Sequence, residues 1–171
     1  MPTYEPIANT TLGSNTASYT FSSIPNTYKD LVLRVRGEMV TAGYTIICQL
    51  NNDVSNSYYF MNVGRRWTVA NIMYNRGGPN PDLPLFAPAV GYAGNNYSYL
   101  IQSHFINYAG STKKMILTES GAGSAPPSYT AGEFTAGMWD NTAAISTIKV
   151  FTGDPTGVFQ TGSNFTLWGL K

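Results

Sequence analysis

The chain has 171 residues, with 10 Lys and Arg against 9 Asp and Glu, a formal net charge of +1 and only 11% charged residues. A hydrophobic share of 43% excludes a charge-expanded disordered polymer. The near-zero charge excludes long-range steering toward nucleic acid or an anionic membrane. The length predicts a single domain over residues 1–171, able to bury about 70% of its unfolded surface without staples.

Met1-Pro2-Thr3-Tyr4-Glu5 has neither a basic nor an apolar leader region, and no run approaches a membrane span. A first strand-like segment runs from Thr3 to Leu12 and stops at the turn Gly13-Ser14-Asn15. From Asp30 to Arg36 the pattern alternates, with Leu31, Leu33 and Val35 on one face and Asp30, Val32, Arg34 and Arg36 on the other. Cys48 lies in the apolar run Thr45–Leu50, where it reads as a small core residue. As the only cysteine, it excludes an internal disulfide framework. Gly77 to Pro88 carries Pro79, Pro81, Pro84 and Pro88 and reads as an irregular loop, because proline does not sit in a central ladder. Tyr97, Tyr99, Ile101 and Phe105 share a face, with Leu100, Gln102, His104 and Ile106 behind them. Being apolar on both sides, this segment belongs centrally in a sheet or against a partner.

The turn Ala109-Gly110-Ser111 then predicts a hairpin with Lys113–Thr118. Gly121–Ser128, with Pro126 and Pro127, reads as a second irregular loop. Ile148 and Val150 oppose Thr147, Lys149 and Phe151, and Phe165–Lys171 reads as a closing strand. Ser, Thr and Asn number 48, helix formers are scarce, and no segment keeps a period of 3.6. Short strands punctuated by turns predict an all-β fold: one antiparallel β-sandwich of jelly-roll type with roughly eight to ten strands.

Chemistry is sparse. His104 is the only histidine and sits mid-strand without a nearby carboxylate in sequence, so it reads as a hydrogen-bonded residue on a sheet face. There is no Gly-x-Ser-x-Gly elbow, phosphate loop or dinucleotide fingerprint; Gly121-Ala122-Gly123-Ser124-Ala125 only imitates the first. The acids are scattered singly, whereas a glycosidase needs a pair. Asn51-Asn52-Asp53 offers oxygens for calcium but no periodic acidic loop. The expectation is no catalytic residue, no cofactor and no metal. Arg65-Arg66-Trp67 is the one compact basic-aromatic cluster and suits a sugar, a nucleic-acid strand or an acidic neighbour, nucleic acid least of the three. Arg65, Arg66, Trp67, Pro79, Pro81, Pro84, Tyr92, Tyr97, Pro126 and Pro127 are the candidate interface residues, since proline loops and tyrosines lose little entropy on docking.

Several segments carry a resemblance in chain order: Tyr4–Ala8 with Thr10–Ser14, Tyr19–Pro25, Asp30–Leu33, Ile106–Lys114, Gly137–Ile145 and Phe165–Leu170. Together they resemble small virion structural proteins of tailed phages, especially cyanophages, with Tyr44–Tyr92 outside the match. The resemblance implies a structural β-sandwich without enzymatic activity and transfers no catalytic or ligand residue. It places the protein in the virion after synthesis in the host cytoplasm, with the major capsid protein or other virion proteins as partners. By analogy it forms a homo-oligomer, a trimer first, with no nucleic acid or membrane bound. Met1 leads directly into the first strand-like segment without a stalk, which favours a capsid decoration or cement protein. The alternative is a tail-tip or fibre-head protein that binds host surface carbohydrate, for which the Tyr- and Asn-rich stretch Gly91–Tyr97 is suited.

Overall fold

A computed structural model describes residues 3–39, 45–66, 73–86, 97–124, 129–153 and 156–171. They form twelve strands and, among the described residues, no helix: β1 (Tyr4–Thr11), β2 (Ser18–Phe21), β3 (Asp30–Met39), β4 (Ile46–Leu50), β5 (Tyr58–Arg66), β6 (Met73–Asn80), β7 (Leu83–Phe86), β8 (Tyr97–Ile106), β9 (Lys114–Ser124), β10 (Tyr129–Trp139), β11 (Ile148–Thr152) and β12 (Asn164–Leu170). Every pairing is antiparallel. An eight-stranded sheet has the order β1-β12-β3-β8-β9-β10-β5-β6, and a four-stranded sheet the order β2-β11-β4-β7.

The protein is an antiparallel β-sandwich, and its topology is that of a jelly roll with two inserted hairpins. Setting aside β5–β6 and β9–β10 leaves β1-β12-β3-β8 against β2-β11-β4-β7, the two interleaved Greek keys of that architecture. The insertions explain why twelve strands stand where eight to ten are expected. All four inserted strands join the same sheet, which doubles its width on one side.

Alternation decides which residues enter the core. From β3, Leu31, Leu33 and Val35 point inward and are fully buried, as do Ile101 and Phe105 of β8 and Phe165 and Leu167 of β12. The smaller sheet answers with Ile46, Cys48 and Leu50 of β4, Leu83 and Leu85 of β7, and Ile148 and Val150 of β11. Cys48 is thus a core residue, and burial, reinforced by Asp82, pushes its thiol up. Gly169 leaves room for the Tyr28 ring, which a Cβ at that position would strike.

Two sequence expectations fail. Gly77–Pro88 is not a single irregular loop: Pro79 lies in β6 and Pro84 in β7, joined by a short turn that holds Pro81. Both strands are sheet edges, the places where a missing N–H costs no ladder bond. Gly121–Ser124 likewise belongs to β9, so the second loop is shorter than expected, and Ala125–Ser128 lie outside the described residues. The predicted Lys113–Thr118 hairpin is present as β8–β9, with Ile106 opposite Met115.

Candidate functional site

Asn51 Oδ1 accepts from Ser146 N at 2.8 Å, Ser146 Oγ at 3.2 Å and Thr147 N at 3.1 Å. Asp53 accepts from the Ser55 amide at 2.9 Å, Ser57 Oγ at 2.8 Å and Trp139 Nε1 at 2.7 Å. The oxygens considered for calcium are therefore spent on tying loops together. Among the described residues no group of three or more His, Cys, Asp or Glu could hold a metal ion, and no helix is long and apolar enough to cross a membrane.

His104 corrects its expectation. It is half-buried on a sheet face, yet among the described residues its side chain has no hydrogen-bond partner. It faces away from the smaller sheet, on the outer surface of the eight-stranded one. The composition of that surface is unusual.

The register lays the outer face out in rows. One row runs from Trp168 of β12 through Val32, His104, Leu117 and Ala136 to Met61 of β5. A second runs through Thr166, Arg34, Gln102, Glu119, Phe134 and Val63. A third holds Ile106, Met115, Met138 and Tyr59. Two regions result, divided near β9.

Over β8, β9, β10 and β5 the face is an apolar band. Tyr59 is 37% exposed, Met61 56%, Ile106 38%, Met115 42%, Leu117 36% and Phe134 38%. At about 200 Å² for a large side chain, the exposed parts of these six amount to roughly 500 Å², the upper end for one patch on a monomer. A cavity of about 580 Å³ opens beside Tyr59, Met61, Met115 and Met138, reaching Gly77 and Gly78 of the β6 edge.

Over β12, β3 and β8 the face is polar and aromatic. Tyr4, Val32, Arg34, Gln102 and Trp168 line a cleft of about 290 Å³. Tyr4 and Gln102 also line the next, of about 210 Å³, with His104, Leu117, Glu119 and Phe134. The two clefts share walls and form one groove across the strands.

The residues proposed from sequence lie elsewhere. Arg65 and Arg66 end β5, and Tyr97 opens β8. Pro79 and Pro81 are exposed at the β6–β7 edge, while Pro84 is buried opposite Ile47 and packs within the chain. Trp67, Tyr92, Pro126 and Pro127 lie outside the described residues, as does most of Gly91–Tyr97. The outer face is not legible in sequence because its residues come from seven strands, from Tyr4 of β1 to Trp168 of β12. The one visible sign was that β8 is apolar on both sides.

No family model, curated protein or solved structure matches the chain.

Proposed function

We propose that the chain is a non-enzymatic structural protein of a tailed-phage virion, a decoration or cement protein seated on the major capsid shell as a homo-oligomer. The observation that carries this reading is the apolar band. A finished sandwich with a filled core has no internal use for Met61, Met115, Ile106 and Phe134 on its outer surface. A patch of that size is the apolar centre of one partner's half of a standard interface, about 800 Å² per side. Low charge supports the same reading, since charged residues are depleted where proteins dock.

The resemblance to virion proteins can be placed on the fold. Its segments fall on β1, β2, β3, the β8–β9 turn, the end of β10 and β12. The unmatched stretch Tyr44–Tyr92 spans β4 to β7 and includes the inserted β5–β6 hairpin.

Copy number in purified particles tests the proposal. Quantitative mass spectrometry against the major capsid protein is expected to find hundreds of copies per particle. A few dozen or fewer would move the protein to the tail, and its absence from particles would overturn the virion reading altogether.

A further inference from the structure

The groove over β12, β3, β8 and β9 lies beside the docking band and is not explained by it. Its floor carries Arg34, Gln102, His104 and Glu119 on neighbouring strands, with Arg34 opposite Gln102 and Gln102 opposite Glu119. Among the described residues, none of these four side chains has a hydrogen-bond or ion-pair partner. Asn51, Asp53, Asn164 and Thr166, by contrast, spend theirs on internal bonds. The four groove side chains are adjacent on one face, so their donors and acceptors converge on one occupant.

Aromatic rings stand at both ends. Trp168 walls one cleft and Phe134 the other, and Tyr4 lines both. Trp168 on β12 and Phe134 on β10 are four strand spacings apart, roughly 19 Å across the sheet, a span of several sugar rings. Each ring offers an apolar face to the C–H side of a pyranose. Between the rings, the guanidinium, amide, imidazole and carboxylate are donors and acceptors suited to sugar hydroxyls.

We propose that this groove binds a segment of neutral polysaccharide. The charges choose among polymers. Arg34 and Glu119 oppose each other across Gln102, so the groove has no net field to hold a polyanion, and nucleic acid or an acidic glycan gains nothing there. The groove also holds one carboxylate, Glu119, where hydrolysis needs two. It retains the chain without cutting it. Weak binding at each of many copies on a particle would add up through multivalency to firm adhesion at a host surface. The groove shares Leu117 and Phe134 with the docking band, whereas Tyr4, Arg34, Gln102 and Trp168 lie outside it, so Gln102→Ala and Arg34→Ala test the groove without touching the band.

NMR titration of the full chain with neutral hexasaccharides of α-glucan, β-glucan and mannan tests this, with an alginate hexasaccharide as the acidic probe. At least one neutral oligosaccharide is expected to shift the Trp168 indole and Gln102 side-chain amide resonances saturably, without cleavage. Gln102→Ala and Arg34→Ala replace exposed side chains with no internal partner, so both fold, and each is expected to weaken binding about tenfold. Trp168→Phe keeps a stacking face and is expected to retain binding that Trp168→Ala loses. Thr20→Ala, on the other sheet, is expected to bind as the native chain does. No saturation with any neutral probe, tighter binding of alginate, or indifference to Gln102→Ala and Arg34→Ala would each overturn the proposal. So would burial of Tyr4 and Trp168 on self-association, which would make the groove a protein interface.

Discussion

A few polar side chains hold the loops of this sandwich, Asp53 among them. It follows Asn51 and Asn52, whose positive φ angles of 52° and 56° turn the chain after β4. Its carboxylate gathers Ser55, Ser57 and the Trp139 indole, fixing the end of β10 to the start of β5. Trp139 in turn stacks on Tyr58, whose hydroxyl accepts from the Leu50 amide at 2.8 Å. Partial burial works to raise the Asp53 carboxyl, but the bonds from Ser55, Trp139 and Ser57 outweigh it and hold it at about 2. A carboxyl depressed on folding adds stability above its unfolded value, near pH 4, and that stability is lost as pH falls toward 2. Asp53→Asn keeps the size and loses half the acceptors. Its expected cost at neutral pH is about 1 kcal/mol, modest because the group lies near water. Urea unfolding between pH 2 and 5 checks the sign: the native chain should lose stability on acidification more steeply than the variant, and parallel profiles would contradict the role. Lys114 is the converse case. Fully buried, its ammonium donates to the carbonyls of Gly110, Thr112 and Thr142, and burial lowers its pKa.

At the scale of strands, what is legible in sequence is what depends on period two. Leu31, Leu33 and Val35 declare the inner face of β3, and the two-sided apolar pattern of Tyr97–Ile106 places β8 inside a sheet, where it is the fourth of eight strands. The groove is not legible, because no local pattern reveals that Trp168, Arg34 and Gln102 share a cleft. Nor is the inner face of the inserted strands. There Ser103, Thr118, Thr135 and Asn62 form a buried polar row, with Thr118 Oγ1 2.9 Å from Ser103 Oγ and Asn62 Oδ1 without a partner. Hydrophobic counting passes over such a row. Proline is a loop former in sequence terms, but here it marks sheet edges. Pro6 of β1, Pro79 of β6 and Pro84 of β7 lie on three of the four edge strands. Proline on an edge denies a donor to any strand that tries to add. Pro6→Thr, on an exposed position, should change stability by less than about 0.5 kcal/mol. It should nonetheless raise association at high concentration, seen as increased light scattering. Scattering no greater than that of the native chain would show that Pro6 does not guard the edge.

For the whole molecule, the two inserted hairpins matter more than the jelly roll itself. A bare jelly roll sets four strands against four, whereas here the larger sheet runs four strands wider and carries the band on its outer surface. Band and core are physically distinct, since Met61 and Met115 are absent from the buried cluster that joins the sheets. Charge placed in the band should therefore leave folding alone while preventing docking. Met61→Lys combined with Met115→Lys is expected to melt within a few degrees of the native chain, because exposed substitutions seldom exceed about 0.5 kcal/mol each. At an interface the same lysines would be desolvated without partners. A cost of about 2 kcal/mol or more weakens association roughly thirtyfold. The doubly substituted chain, supplied in place of the native one during particle assembly, should be depleted from purified virions while remaining folded and free in the lysate. Native copy number with both lysines in place would mean that the band faces solvent in the particle, and that the inserted hairpins serve some purpose other than attachment.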